Sequence, residues 1–530
     1  MQNNSNLTAN LEIGLNIIEN ITTGMYRDSL VVFRECIQNS CDQIDQAVEI
    51  GLLAPGEGQV EIWIGDDGHS VSVEDNATGI NASEFKRAMY SIGVSSKPRG
   101  KAKGFRGIGH WCGLGYCKTL VFTAKAKGEN VESIMTCDAE KIRAMMDEYN
   151  THTAYYTVAE ALEATTAFSE NKVNGVDKHY FKVEMLGISN LHSELCHLQQ
   201  VKEYLSFVAP VGYANTFRFR NAIHKHAEDI SQPIQEYNVS VNGERIFKKY
   251  TPSFTTSKGD DTITSVDFKD FRDDNGNIVA WLWFGISRFQ GVIKKDNPMR
   301  GIRLRTQNIQ IGDDNALQKL FNEDRGQHYF VGEVFAIAEG LIPNSQRDYY
   351  NANDTRSLFE HLLSDFFNDE LSRIYKAGSA INSKYDKIQK VAKIEAEISS
   401  VRSSGAEITE EQLNKLERAK KEAETATQEL DKIRQKTASK IDNSEFGTYD
   451  VVVNEIIKRN DKERTNTLPS KPKKVIKPVE QSQPTILPTS IVKEKSDKLI
   501  SLSKVCKIIR KFAESSIADA MIAKIEEELD

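Results

Sequence analysis

No apolar run in the 530-residue chain approaches the ~18–20 residues that a membrane-spanning helix needs. The opening residues Met1-Gln2-Asn3-Asn4-Ser5 carry neither a basic nor an apolar stretch, so no secretory signal is expected and a cytoplasmic location is. Cysteine is sparse and odd in number, seven scattered along the chain, which points to reduced thiols rather than a disulfide frame. A surplus of positive charge is also missing. The 68 Lys and Arg stand against 76 Asp and Glu, a formal net charge of −8, so nucleic-acid binding is not indicated by charge overall. There is no G-x-x-x-x-G-K-[ST] loop and no Rossmann fingerprint. What is present, 39% hydrophobic and 27% charged residues, is the composition of a soluble protein with room for roughly three or four domains.

From about Leu11 to Leu191 helical and strand patterns mix. Leu30, Phe33, Ile37, Cys41, Ile44 and Val48 step by three or four, which predicts a helix over 28–48. Val60 to Ile64 alternates, Asp66-Asp67-Gly68 turns, and Ser70 to Val73 alternates again, a hairpin. Leu120 to Ala124 reads as a buried strand, and Phe181 to Met185 as the strand that closes the sheet. A second mixed region runs from about Val201 to Tyr375, with strands expected at 236–241, 279–284, 301–311 and 332–337. Beyond it, 381–401 is helical, Ser403 to Ala406 breaks the pattern, and Thr409-Glu410-Glu411-Gln412 forms a capping box. Leu416, Ala423 and Leu430, with Ala419, Ala426 and Ile433, then repeat in heptads, as in an antiparallel coiled-coil hairpin or a solvated helical extension. Five of the 12 prolines crowd between Pro469 and Pro488, marking a linker, and amphipathic stripes over 499–529 either cap the protein's own core or dock on a partner.

Three clusters carry chemistry. On the first helix Glu35, Asn39 and Asp42 share a face away from the apolar stripe. A carboxylate beside a carboxamide suits metal-assisted attack of water on a phosphate; taken alone, the pattern reads first as a solvated polar face. Asp75, followed four residues later by Gly79 and then Ile80, could accept from an amine while the glycine admits a flat ring, or simply start a turn. Glycines at 93, 100, 104, 107, 109, 113 and 115, with Lys97, Lys103 and Arg106, make a loop whose N–H groups could cradle phosphates. His110, Cys112 and Cys117 invite a zinc reading, but no second ligand pair follows at a metal-site spacing.

In order and spacing these clusters resemble the GHKL ATPase superfamily, which holds the heat-shock chaperones, MutL, gyrase B-type ATPases, MORC proteins and sensor histidine kinases. Glu35 to Asp42, E-x-x-x-N-S-x-D, is similar to the chaperone N-box, and Ser95-Ser96-Lys97 with Gly104-Phe105-Arg106-Gly107 looks like the MutL lid. The resemblance implies an α/β fold of the α+β sandwich type for an ATP-binding domain over residues 1–195. It implies a second α/β, transducer-like middle domain over 196–378; the heptads, prolines and apolar stripes beyond it give the coiled-coil hairpin at 379–440, the linker at 441–495 and C-terminal helices at 496–530. It implies ATP and Mg²⁺ as cofactors, Glu35 as general base, Asn39 as Mg²⁺ ligand and Asp75 as acceptor for the adenine amine. Asp42, Gly79, Ile80, Ser95, Ser96, Lys97, Gly104, Phe105, Arg106, Gly107, Ile108 and Gly109 would complete the nucleotide site. Two departures stand out: Ala77 replaces a glycine, which would tighten the adenine wall, and the threonine of a late strand has no counterpart near His179-Tyr180.

Leu341 to Asp348 is similar to a Pro-containing turn of the chaperone middle domain, where an arginine reaches the ATP γ-phosphate; Arg347 matches it. The other reading is an Arg347–Asp348 ion pair, with Arg303 and Arg305 as the fallback cations. By resemblance the chain is a stand-alone clamp ATPase, dimerising with ATP and acting on an unknown client protein or a nucleic acid; bacterial proteins of this layout are sometimes linked to phage defence. No phosphoacceptor His-Glu box and no D-x-D topoisomerase element is visible. The competing reading is a non-hydrolysing ATP-loaded scaffold that recruits a partner through its helical tail, against which the pairing of Glu35 with Asn39 counts. A DNA clamp would use Lys458, Arg459, Lys462, Arg464, Lys471, Lys473, Lys474 and Lys477, a run interspersed with acids and read first as solvated.

Overall fold

Alternation in the first hairpin sends Val60, Ile62 and Ile64 into a core and leaves Trp63 exposed. In the computed structural model, residues 13–21, 28–93, 103–104, 107, 109–442 and 447–467 are described. Helices α1 (Asn16–Ile21) and α2 (Val31–Glu49) precede the hairpin β1 (Gln59–Ile64) and β2 (Ser70–Asp75), then α3 (Ala82–Tyr90) and a 3-10 segment at Gly109–Gly115. Next come β3 (Thr119–Lys125), β4 (Val131–Asp138), α4 (Ala139–Asn150), α5 (Val158–Thr165), β5 (Thr166–Lys172) and β6 (Tyr180–Leu186). Helices α6 (Leu198–Val208) and α7 (Arg220–Asp229) lead to the short strands β7 (Asn238–Val241) and β8 (Glu244–Arg245).

These eight strands form one sheet in the order β5-β4-β3-β6-β2-β1-β7-β8, and β1/β7 is its parallel pair. Two expectations are corrected here. Strand β6 does not close the sheet but lies at its centre, hydrogen-bonded to β2 and β3. The boundary at 195/196 does not divide the sheet either: β7, expected in the second domain, pairs with β1 through Val60↔Val239. Val239 and Val241 are fully buried, and that burial, worth about 1.5–3 kcal/mol per side chain, draws the later segment into the first core. Helix α2 lies on this core through Phe33, Ile37, Cys41 and Ile44, and Asp28 accepts from the Leu30 N–H (3.0 Å) at its start.

After a small hairpin, β9 (Ser253–Thr256) and β10 (Gly259–Thr262), a second sheet is built from β11 (Ser265–Arg272), β12 (Ile278–Ile286), β13 (Gly301–Thr306), β14 (Ile309–Ile311) and β15 (Val331–Ala336). Its order is β11-β12-β15-β13-β14, and it is covered on both faces. Trp281 and Trp283 face a cluster with Phe207, Phe217 and Tyr250, while Leu282 and Phe284 pack with Phe359 and Leu363 of α8 (Asp354–Phe366). Burial on both sides explains why β12 reads as a continuous apolar run. Through this core runs an ionic cluster: Glu333 accepts from Arg305, Lys248 (3.0 Å), Tyr213, Tyr250 (3.0 Å) and Trp283 (3.2 Å).

A π-helical turn (Phe367–Leu371) joins α8 to α9 (Ser372–Ser403), and α10 (Glu410–Asp442) returns antiparallel to it. The ion pairs Lys384–Glu429, Lys390–Glu422 and Lys420–Glu395 run in opposite directions along the two helices. Gly405 has φ +77° in the turn, and Thr409 and Gln412 exchange two capping hydrogen bonds, 2.9 and 3.2 Å. Ala419, Ala426 and Leu430 are buried at the seam. The linker expected from 441 is corrected: α11 (Thr448–Thr467) folds back onto α9, burying Val452, Val453, Ile456 and Ile457. Arg459 of the basic run is turned inward, donating to the Thr262 carbonyl at 3.0 Å and lying 3.6 Å from Asp261. The proline-rich stretch and the C-terminal stripes lie outside the described residues. Among the described residues no helix is long and apolar enough to cross a membrane.

Candidate nucleotide site

The polar face of α2 is not solvated. Glu35 is 5% exposed and Ser40 5%, so the helix turns carboxylate, carboxamide and hydroxyl toward the protein rather than to water. Beside them opens a cavity of about 440 Å³, within the usual range for a small-molecule site, which Asn39 and Ser40 line and Glu35 does not. Asn39, Ser40, Asp75, Gly79, Ile80, Gly104, Gly107 and Gly109 all line it, so three clusters spread over residues 39–109 converge on one space. Val73 of β2 and its cross-strand partner Val183 of β6, with Phe181, supply an apolar wall.

Asp75 ends β2 and is 3% exposed; Ser40 Oγ donates to its Oδ2 (2.7 Å) and the Ala77 N–H to its Oδ1 (3.1 Å). A buried carboxylate so oriented is a fixed acceptor. Thr78 Oγ1 donates to Gln43 (2.7 Å), closing the loop onto α2. Gly79 has φ +63°, and a Cβ there would lie 1.9 Å from the Lys125 carbonyl oxygen. Its glycine is therefore required by the approach of the loop to β3, not only by room for a ring. Ala77 is fully buried in the core, does not line the cavity, and gives its carbonyl to His179 Nδ1 (2.5 Å), so the expected tightening of the wall does not follow. His110, also at the cavity, is held down to about 4 by burial and is uncharged at neutral pH.

The loop after α3 is tied down by Asp42, whose Oδ1 and Oδ2 accept from the N–H groups of Lys103 and Gly104, each at 2.8 Å. Asp42, expected at the nucleotide, is engaged with these two backbone groups and does not line the cavity. Lys103 is also corrected: its ammonium is buried on Asp45 (2.7 Å) and over the Tyr237 ring, turned from the cavity. Gly107, φ +68°, accepts from the Gly93 N–H at 3.0 Å. A Cβ at Gly104 would meet Asn39 Oδ1 at 2.9 Å, and one at Gly109 would meet Glu35 Oε2 at 2.9 Å, so these glycines keep space open around both groups. Ser95, Ser96, Lys97, Phe105, Arg106 and Ile108 lie outside the described residues. The zinc reading finds no support in the thiols: Cys112 sits against Cys36 and is raised by that contact and by burial, and burial pushes Cys117 up to about 12.

A residue of the second domain reaches Glu35. Arg347, 5% exposed, places Nε 3.1 Å from Glu35 Oε1 and donates through Nη1 to the Lys103 carbonyl (2.9 Å). Arg34 Nε lies 3.6 Å from the same Glu35 oxygen, which nevertheless accepts no aligned hydrogen bond among the described residues. Arg347 has φ +55°, uncommon for a side-chain-bearing residue, in a turn closed by Asn344. Asp348 is not its partner but accepts from Asn344 Nδ2 (2.5 Å). The fallback cations are core residues: Arg305 is fully buried on Glu333, and Arg303 donates to Gln310 (2.7 Å) and Pro298. The sequence reading passed over Ser40 and Arg34, although both adjoin named motif residues.

Residues 27–170 match the family model described as histidine kinase-, DNA gyrase B- and HSP90-like ATPase. The first domain is a GHKL-type ATPase domain. No curated protein gives a match to the chain. The matched span of the GHKL domain contains Glu35, Asn39, Asp75, Gly79 and the glycine loop, and ends before β6 and before Arg347.

The donors present fit a nucleotide with its magnesium. Asn39 Oδ1 has open space on the Gly104 side, and the buried Glu35 Oε1 lacks an aligned hydrogen bond. An amide oxygen open to the cavity is a hard-oxygen donor of the kind that Mg²⁺ takes.

Proposed function

We propose that the chain is an Mg²⁺-dependent ATPase in which the GHKL domain holds ATP and the second domain supplies a cation to the reaction. The observation that carries this is the Arg347–Glu35 contact, 3.1 Å across 312 positions of sequence between two buried side chains. Asp75 would accept from the adenine amine against the wall of Val73, Val183 and Phe181. The loop around Gly104 to Gly109 would present backbone N–H groups to the phosphates. Asn39 would hold Mg²⁺, which when bound neutralises charge on the phosphate oxygens. Glu35 would accept the proton of the attacking water while Arg347 moves from its carboxylate to the terminal phosphoryl group. One displacement would thus free the base and bring a positive charge to where negative charge develops.

Closure of this kind couples nucleotide state to the angle between domains, and the α9/α10 hairpin offers a further surface on a dimer that forms with ATP. The client is a protein or a nucleic acid in this reading. The inward-turned Arg459 favours protein.

The test is steady-state ATP hydrolysis with Mg²⁺ for wild type and Glu35→Ala, with oligomeric state measured in the same samples. Turnover in wild type and its loss in a variant that still binds ATP is the expected result. ATP binding with no Glu35-dependent turnover would replace the enzyme by an ATP-loaded scaffold.

A further inference from the structure

Strand β11 (Ser265–Arg272) is an edge of the second sheet. The carbonyl of Val279 accepts from Ile337 and Ala338 on the β15 side, so odd-numbered residues of β12 face β15 and even-numbered ones face β11. Their partners in β11 are the odd positions 265, 267, 269 and 271, paired with 286, 284, 282 and 280. Val266, Phe268 and Asp270 therefore direct their backbone N–H and C=O groups away from β12, toward the open edge. The Phe268 N–H meets only the neighbouring Asp267 side chain, at 2.8 Å, and no described strand pairs there.

Beside this edge runs a groove of about 590 Å³ between residues 267–272 and the end of α8 with its π-turn. Leu362 and Phe366 give it an apolar strip, Phe366 making an edge contact with Phe271 at 5.7 Å. Its charge is one-sided: Asp267, Asp270, Asp365, Asp369 and Glu370 against Lys269 and Arg272. The two cations are engaged locally, Lys269 over the Phe366 ring and Arg272 on Asp270 (3.4 Å) and the Gly276 carbonyl (2.9 Å). Asp365 and Asp369 are exposed on the opposite wall.

We propose that this edge is a docking site for an extended, basic peptide segment of a partner protein, which adds as a strand alongside β11. Main-chain hydrogen bonds to Val266, Phe268 and Asp270 supply the pairing. Alternate side chains, which in a strand fall on one face, carry lysine or arginine toward Asp365 and Asp369. An edge that merely resists aggregation would also carry charge, and the experiment separates the two.

Fluorescence anisotropy on the full chain would use a labelled peptide of alternating lysine and valine. The controls are its glutamate–valine counterpart and the lysine peptide N-methylated at alternate amides. The expected result is that the basic peptide binds at least roughly tenfold more tightly than either control. Asp365→Lys combined with Asp369→Lys, both on an exposed helix surface, weakens it by a similar factor. Equal binding of the N-methylated peptide would overturn strand addition and leave a charge effect. Equal or absent binding of the basic and acidic peptides, or no change in the double variant, would overturn the site and leave an edge kept unpaired by its charges.

Discussion

Replacing Asp42 by alanine removes both oxygens that hold the lid, the acceptors of the Lys103 and Gly104 N–H groups at 2.8 Å each. A hydrogen bond to an ionised group contributes about 1.5–3 kcal/mol, so the pair is worth roughly 3–6 kcal/mol in full burial. Asp42 is half-buried and water can replace part of this, which brings the expected loss to about 2–4 kcal/mol. That energy governs local opening of the loop rather than global unfolding. Amide exchange at Lys103 and Gly104 should therefore accelerate by roughly 30- to 1,000-fold, since each 1.4 kcal/mol is a factor of ten. The amides of the α2 interior, such as Ile37 and Cys41, should not change. Asp42→Asn keeps one neutral acceptor and should fall between wild type and alanine. If exchange at Lys103 and Gly104 is unchanged in Asp42→Ala, Asp42 does not anchor this segment.

Arg347→Ala should lower kcat by about 10²–10³-fold, the usual cost of removing one charge-stabilising donor, while ATP affinity stays within a few-fold; parallel loss of both would refute a transition-state role. Glu333 gives a pH prediction. Burial alone would raise its carboxyl, but Arg305 and Lys248 outweigh it and hold it down at about 2, below the ordinary 4.5. A depressed value stabilises the fold above pH 4.5, and this contribution is lost as pH falls from there through about 2. It amounts to about 3 kcal/mol, the difference converted at 1.36 kcal/mol per unit. Acid unfolding followed by tryptophan fluorescence should show that slope in wild type and a flatter one in Glu333→Gln, which starts from lower stability. Ile456→Ala, at a fully buried position of α11 against Gly378, should cost about 2–5 kcal/mol by loss of packing, read as a lower unfolding temperature in circular dichroism. An unshifted transition would mean that α11 is not docked.

What periodicity and turn chemistry control was legible in the sequence. The stripe on α2, the first hairpin, β12, β15 and the Thr409–Gln412 capping box depend on neighbours within a few residues and formed where expected, whereas the strand expected at 301–311 is the hairpin β13–β14 and β11 was not expected. Glu35, Asn39 and Asp75 could be singled out because side chains and spacing recur as motifs, and the fold brings Asn39 and Asp75 to one cavity. The order of the sheet was not: β6 reads as an apolar strand whether it lies at the edge or the centre, and only pairing on both sides distinguishes them. Helix α11 was hidden for a related reason. Its Lys458, Arg459 and Lys462 resemble the charge of the linker that follows, and its apolar Val452, Val453, Ile456 and Ile457 gain meaning only once α9 and α10 offer them a groove.

The charges show most clearly where a one-dimensional reading stops. Lys103 and Arg347 both look like phosphate cations, one inside a glycine loop and the other 244 positions away. In the fold Lys103 is neutralised by Asp45 and covered by Tyr237, a residue that reaches the site because β7 joins the first sheet. Its carbonyl, not its ammonium, is what Arg347 touches. The pairing of β7 with β1 thus keeps the Lys103 ammonium on Asp45 and helps to fix the Lys103 backbone that Arg347 touches. It follows that the lid, the β7 crossover and the Arg347 turn form one mechanical unit. A change in any of them should be felt as altered contact between Arg347 and Glu35. Tyr237→Phe, which removes only the hydroxyl donated to Asp45 at 2.6 Å, is the mildest such change. It should raise amide exchange at Lys103 while leaving the GHKL core intact, and an exchange rate equal to wild type would show that the crossover and the lid are independent.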